Sequence, residues 1–208
     1  MLDPGSYPGT YEASAENLAL DFINTVSWRV SDHPHEWLNS FDNLLAWGEV
    51  TGVLTPAERE SLHTAARQQP ELAERVRLRA VHLREAVYRI IIASISLSQP
   101  DAADLETLNG ELYQAFPFLQ FAQQDGKFSW RWGRPADRLD WMLWPVARAA
   151  TELLLSDHLE RVGQCMGVDC GWMFLDMSKN RSRRWCDMND CGNRAKARKH
   201  YHKVRNIK

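Results

Sequence analysis

The hydrophobic positions recur at helical spacing through most of the first 113 residues, which predicts a mainly helical first part of the chain. Leu18, Phe22 and Val26 follow one another at intervals of four and would share one face of a helix that Ser14 caps. Residues 31–39, which include a proline, are expected to form a loop.

Start and stop signals predict the next four helices. Residues 44–47 (LLAW) fall in a helix that ends at Gly52. The sequence Thr-Pro-Ala-Glu at 55–58 combines a capping box with proline at the first helical position, so a further helix begins there. The longest helix is expected over residues 70–97, and another begins after Asp101.

The period then changes from helical to alternating. Aromatic residues alternate in 118–121 and 128–132, on either side of an Asp-Gly pair at 125–126, which predicts a β-hairpin. A helix is expected over residues 135–155, with a kink at Pro145.

All four cysteines lie near the C-terminus, as Cys165, Cys170, Cys186 and Cys191. Their spacing, C-x4-C, fifteen residues and C-x4-C, suits four thiolates arranged tetrahedrally around one Zn²⁺. Two disulfides and four unrelated buried thiols are the alternatives. The polar first eleven residues show no export signal, so we expect a cytoplasmic location, where disulfides rarely persist. Zinc is the metal that soft thiolates in a closed site most often select.

One structural zinc ion is therefore expected. Four protein ligands leave no position open for a substrate, whereas catalytic zinc usually has three protein ligands and a water. Gly171 and Gly192 directly follow Cys170 and Cys191. A positive φ at these glycines would let the chain fold tightly behind the sulfurs and direct backbone N–H groups at them.

The segment around the cysteines predicts a small metal-held module. Two short strands, at 172–176 and 183–186, are expected to pair across residues 178–181. Asn193 would cap a helix that runs to about Val204. This order is typical of a treble-clef-like module, although a zinc ribbon with an additional helix fits nearly as well.

Length and pattern together predict an α+β protein. The 208 residues, 44% of them hydrophobic, suffice for one sizeable core and a small module. We expect a mainly helical N-terminal sensor or dimerisation domain with one β-hairpin over residues 1–160. A treble-clef-like or ribbon-like zinc finger with a basic helix would occupy residues 161–208.

The formal net charge of −2 conceals a strong asymmetry. Residues 178–208 contain eleven Lys or Arg and two Asp, a net charge of +9, so the preceding residues carry −11. An acidic body joined to a basic metal module is expected of a protein that binds a polyanion. A solvated tail, or one folded back on the acidic body, is the alternative. The cations that we expect to contact phosphates or a groove are Lys179, Arg181, Arg183, Arg184, Arg194, Lys196, Arg198 and Lys199.

Longer motifs support this interpretation. The segments CGW at 170–172, FLD at 174–176, RRWC at 183–186 and CGNRAK at 191–196 resemble the CGNR-type zinc finger. This resemblance implies that the four cysteines are the metal ligands, and that Asn193 and Arg194 belong to the signature.

The N-terminal part has a resemblance of its own. The sequences LDFINT at 20–25 and LLAW at 44–47 look like the ABATE domain, which precedes this finger in bacterial proteins. The resemblance implies a bacterial, stress-responsive transcription regulator with an α+β N-terminal domain and a DNA-binding finger.

A weaker signal concerns small molecules. Asp21, Asn24, Thr25 and Trp28 lie around one early helix and could line a ligand pocket. A hydrogen-bonded helix that packs against its neighbours explains the same residues.

The sequence thus predicts a zinc-finger regulator that binds double-stranded DNA and responds to stress or to a ligand. Its N-terminal domain would bind an effector or a protein partner, or form a homodimer. The alternatives are a zinc-dependent adaptor that grips an acidic protein, and an RNA binder that stacks bases on Trp172 or Trp185. No catalytic triad, Walker loop or dinucleotide-binding turn is visible, so we expect no enzyme. No apolar run approaches the roughly 18 to 20 residues that span a bilayer, so we expect no membrane association.

Overall fold

The computed structural model describes residues 1–5, 10–14, 16–135 and 138–205, with the backbone alone described at 124 and 202–204. The helices and strands of this part are α1 (Leu18–Ile23), β1 (Val26–Ser27), β2 (His35–Glu36), α2 (Phe41–Val50), α3 (Pro56–Gln68), α4 (Pro70–Ile95), α5 (Ala102–Ala115), β3 (Leu119–Gln124), β4 (Lys127–Trp132), α6 (Trp144–Leu155), β5 (Val162–Gln164), β6 (Met173–Leu175) and α7 (Asn193–Arg205). Shorter turns of helix occur at Phe116–Phe118, Trp141–Leu143, Asp157–Arg161 and Met188–Gly192. The fold is mostly helical with small antiparallel hairpins, as predicted.

The strong start signals correspond to real helices. At α3 the Thr55 hydroxyl accepts the Glu58 N–H, and the Glu58 carboxylate accepts the Thr55 N–H, which completes the predicted capping box. Helix α4 begins at Pro70, and the Asp101 side chain caps α5. These signals are local, and the structure confirms them.

The first helix differs from its prediction. Its cap is Asn17, whose side chain accepts the N–H groups of Ala19 and Leu20, because Ser14 donates its hydroxyl to the Asp21 carboxylate instead. Helix α1 is only six residues long, and Val26 belongs to β1. The expected loop at 31–39 contains β2, which pairs with β1.

The helix before the finger also differs. It begins at Trp144, so Pro145 lies in its first turn, where the missing N–H has no partner to lose. Pro145 therefore starts the helix and does not kink it. The upstream part of the prediction includes residues 136–137, which lie outside the described residues.

The predicted aromatic hairpin is present. Phe121 faces Trp130 across β3 and β4, and Asp125 and Gly126 both adopt positive φ in the turn. Phe121, Phe128 and Trp130 are all more than half exposed, so this hairpin presents an aromatic face to solvent.

One hydrophobic core organises the molecule. Trp37, Trp47 and Trp144 are fully buried in it, together with much of α1, α2, α4 and α6. Val162 of β5 and Met173 of β6 belong to the same cluster, so the hairpin that precedes the metal centre packs directly on the helical body. Among the described residues no helix combines the length and hydrophobicity needed to cross a membrane.

Candidate metal centre

The four cysteine sulfurs converge at one point. All four lie within 4.8 Å of one another, with 3.6 Å between the sulfurs of Cys170 and Cys186 and 3.7 Å between those of Cys186 and Cys191. Ligands about 2.3 Å from a tetrahedral zinc ion are separated by roughly 3.8 Å, whereas a disulfide bond is about 2.05 Å long. The cysteines are free thiols, so neither alternative from the sequence, disulfides or scattered thiols, is present.

Two local structures bring the sulfurs together. Cys165 follows β5 and Cys170 lies shortly before β6, and the loop between them closes where the Cys165 N–H donates to the Trp172 carbonyl at 2.8 Å. The second pair lies at the start of α7, where Cys191 is part of the helical turn that leads into the helix. A second ligand pair at the start of a helix agrees with the treble-clef-like alternative.

The predicted strand pairing inside the finger is wrong. Strand β6 pairs with β5, the strand that directly precedes Cys165. Residues 183–186 form no strand. The Asp176 carboxylate explains the difference, because it accepts the N–H groups of Ser178 and Arg183 and folds this segment into a loop. The hydrophobic residues of β5 and β6 join the main core, which favours their pairing.

The predicted cap of the last helix is also wrong. The helical turn Met188–Gly192 runs directly into α7, so Asn193 lies inside a continuous helical segment. Asp187 caps the start of that segment by accepting the Asn189 N–H. The Asn193 amide donates to the Asn189 carbonyl four residues earlier.

The glycines serve different purposes. Gly171 adopts φ +69°, as expected, and a Cβ there would lie 2.8 Å from Val30 Cγ1. Gly192 does not have a positive φ; a Cβ there would collide with the Met188 sulfur. The sequence reasoning missed Gly167, although its position inside the first C-x4-C was a visible signal.

Gly167 matters because the sulfurs crowd it. A Cβ at this position would lie 3.1 Å from Cys191 Sγ and 3.4 Å from Cys165 Sγ. Its N–H donates to Cys165 Sγ at 3.4 Å, so the loop offers a backbone donor to a metal ligand.

The electrostatics of the cluster suit a cation. Hydrogen bonding to the Cys165 sulfur is the largest of the effects that raise the pKa of the Cys170 and Cys186 thiols. Four thiolates so close together repel one another, and a soft divalent cation would relieve that repulsion. Arg194 Nη2 donates to Cys191 Sγ at 3.1 Å and adds positive charge at the rim.

Trp172 and Trp185 pack against the cysteine cluster. Trp172 is also fixed to the body, since its indole N–H donates to the Val26 carbonyl at 2.7 Å.

Several hydrogen bonds dock the finger on the helical body. The Asn24 side chain accepts the Met173 N–H at 2.9 Å and donates to the Met173 carbonyl at 2.8 Å. The Arg29 N–H donates to the Cys170 carbonyl at 3.0 Å. The metal centre is therefore built directly on the body, a contact that the sequence did not predict.

One of the predicted phosphate contacts has a different environment. The Arg183 guanidinium pairs with Glu16, donates to the carbonyls of Leu175, Trp185 and Cys186, and lies over the Phe174 ring. These contacts hold the finger together and argue against a direct role of Arg183 in binding phosphate. The remaining predicted cations are exposed, namely Lys179, Arg181, Arg184, Arg194, Lys196, Arg198 and Lys199.

The residues of the predicted ligand pocket are mostly engaged in the fold. Asp21 accepts from Ser14, and the Thr25 hydroxyl donates to the Phe22 carbonyl. Asn24 and Trp28 do line an open cleft of about 480 Å³ between the body and the finger. Asp21 and Thr25 are not part of its lining.

Comparison with known families agrees with this architecture. The family model described as "ABATE: Putative stress-induced transcription regulator" matches residues 16–157, more than half of the chain. The model described as "CGNR zinc finger" matches residues 161–204. The two occur in the order that the sequence motifs predicted. No curated protein matches the chain.

Proposed function

We propose that this chain, which belongs to the ABATE family and ends in a CGNR zinc finger, is a transcription regulator that binds double-stranded DNA through that finger. The two family matches support a regulatory role. The observation that carries the DNA-binding part is the row of exposed cations on a module that four converging sulfurs can hold rigid.

One zinc ion would be held by Cys165, Cys170, Cys186 and Cys191. The ion would be structural, because a segment this small buries too little apolar surface to fold alone. The thiolates and the ion together would carry a charge of −2, which the surrounding arginines and lysines outweigh.

Seven exposed cations remain for phosphate once Arg183 is assigned to the fold, although Arg181 also pairs with Glu160 and Arg194 with Asp190. If six of them each neutralise a phosphate, the slope of log K against log salt should be about −5. The acidic body would be repelled by the phosphates, which would reduce nonspecific binding to DNA and orient the finger toward the duplex.

The N-terminal domain would receive the signal, from a stress-related ligand or a protein partner, or would form a homodimer. The cleft lined by Asn24 and Trp28 includes residues of both this domain and the finger, so an effector bound there would contact both. We propose a binding protein and no enzyme, acting in the bacterial cytoplasm where the chromosome is found.

The test is a DNA-binding titration with matched charge reversals. Wild type should bind duplex DNA at low salt with the steep slope given above, and lose binding when zinc is chelated. Arg184→Glu combined with Arg198→Glu should abolish binding. Arg67→Glu combined with Arg75→Glu changes the same charge on the exposed surface of the body and should leave most of the affinity. Absence of duplex binding at low salt would refute the proposal.

A protein-interaction adaptor is the second candidate. The exposed aromatic face of Phe121, Phe128 and Trp130 favours it, because such faces are enriched at protein interfaces. A partner that co-purifies with the tagged chain after nuclease treatment, together with no DNA binding, would support this candidate.

A further inference from the structure

A groove runs between the loop of the first cysteine pair and the last helix. Its volume is about 280 Å³. The side chains that line it include Met166, Val168, Asp169, Trp185, Arg194, Arg198 and Lys199.

Three cations of α7 converge on this groove. Arg194 and Arg198 are four positions apart and therefore lie on the same side of the helix, and Lys199 also lines the groove. Arg198 and Lys199 form no ion pair in the part of the chain that the structure describes, so their charges are available. Arg194 is held at the metal centre by Cys191 Sγ and by Asp190, at 3.1 Å each.

The loop of the first cysteine pair adds the apolar side chains of Met166 and Val168 and the carboxylate of Asp169 to the lining. Val168 and Met166 are more than half exposed, and Trp185 packs against the cysteine cluster. Three cations outnumber the one carboxylate in this lining, and their position beside apolar side chains matches a sugar–phosphate chain, which carries charged oxygens next to carbon-rich sugars.

Another cation of the same helix lies outside the groove. Lys196, like Arg198, is exposed, but it does not line the groove. The sequence pattern alone assigns equal weight to Lys196 and Arg198, whereas the tertiary structure separates them.

We propose that this groove seats the backbone of one DNA strand, with a phosphate against Arg194, Arg198 and Lys199 and the adjoining sugar against Val168. This inference rests on the proposed DNA-binding function and specifies which side of α7 meets the duplex. Arg194 connects the groove to the metal, because the same guanidinium bonds to a metal-site sulfur.

The first test compares alanine substitutions on the two sides of α7. Arg198→Ala and Lys199→Ala should each weaken duplex binding about tenfold at moderate salt, and should each reduce the magnitude of the salt slope by about 0.9. Lys196→Ala removes one charge from the same helix and should change neither quantity appreciably.

The second test places a negative charge in the groove without removing a cation. Val168→Asp should weaken duplex binding at least as strongly as Arg198→Ala. Met177→Asp is the matched control, since Val168 is 63% and Met177 is 61% exposed and Met177 lies in the finger outside the groove. Zinc content and circular dichroism of all variants show that the finger is intact.

The outcomes separate the two proposals. If wild type binds duplex DNA but Lys196→Ala weakens it as much as Arg198→Ala, or Met177→Asp as much as Val168→Asp, the groove assignment is refuted and the regulator proposal stands. If wild type binds no duplex at low salt, both proposals fall. Tighter binding of RNA than of duplex DNA of the same sequence would also overturn the assignment of the strand as DNA.

Discussion

Asn24→Ala should weaken the docking of the finger on the body and destabilise the whole protein. The Asn24 amide makes two hydrogen bonds to the backbone of Met173, one as acceptor and one as donor, across 149 positions of sequence. Both residues are almost completely buried, with Asn24 4% and Met173 1% exposed. Alanine would leave a buried N–H and a buried carbonyl without partners.

The magnitude follows from the two groups that lose their partners. Each buried backbone group left without a hydrogen bond costs about 1–3 kcal/mol. Some relaxation toward water reduces the sum, so we expect the free energy of unfolding to fall by about 3 kcal/mol. For a protein of this length, that loss lowers Tm by roughly 6–12 °C.

The assay is urea and thermal unfolding in zinc-containing buffer, followed by tryptophan fluorescence and circular dichroism. Asn193→Ala provides the control, because this side chain also bonds to a backbone carbonyl, at 2.9 Å, but is exposed. The control should lose less than about 0.5 kcal/mol. Equal stability of the two variants would refute the reasoning that Asn24 anchors the finger, and would reopen its role as a ligand contact.

Three further predictions concern the metal, the docking and the charged core. Elemental analysis of wild type should give one zinc per chain, and Cys186→Ser should lose the metal and the helical signal of α7, whereas full zinc retention would contradict the four-sulfur site. Gly171→Ala should lower the free energy of unfolding by at least about 1 kcal/mol, because φ is +69° there and a Cβ would meet the docked body; unchanged urea midpoints would contradict this. Burial raises the pKa of Asp140, but Arg138 and Arg79 outweigh that effect and hold the pKa below its ordinary value. The carboxylate therefore stabilises the fold above its unfolded pKa of about 3.9, and this stabilisation is lost as pH falls through the lower folded pKa. Asp140→Asn should cost more stability at neutral pH than in acid, and an equal cost at both would show that the charge is irrelevant.

The helices with strong start signals were predictable because the signals and their partners are neighbours in sequence. The capping box at Thr55 and the aspartate cap at Asp101 each involve residues two or three positions apart. The prediction that Ser14 caps the first helix was wrong because the Ser14 hydroxyl donates a hydrogen bond to the Asp21 carboxylate. The predicted kink at Pro145 was wrong because a proline kinks a helix only in its interior. The helix begins at Trp144, and the sequence pattern did not show that start.

At the metal centre, too, the sequence predicted one part and the tertiary structure decided the other. Four cysteines at short, repeated spacing predicted a common site, since few other arrangements use thiols in that pattern. The strand pairing around them depended on β5 and β6 burying their side chains in the main core, which no local pattern of the finger reveals.

By itself the sequence determined the capped helices, the aromatic hairpin, the group of four thiols and the basic end, because each depends on residue type and short spacing. Only the tertiary structure decided that Asn24 and Arg183 hold the finger to the body, and that Arg198 faces a groove while Lys196 does not. These roles depend on contacts between residues far apart in the chain, and such contacts exist only once the core has formed.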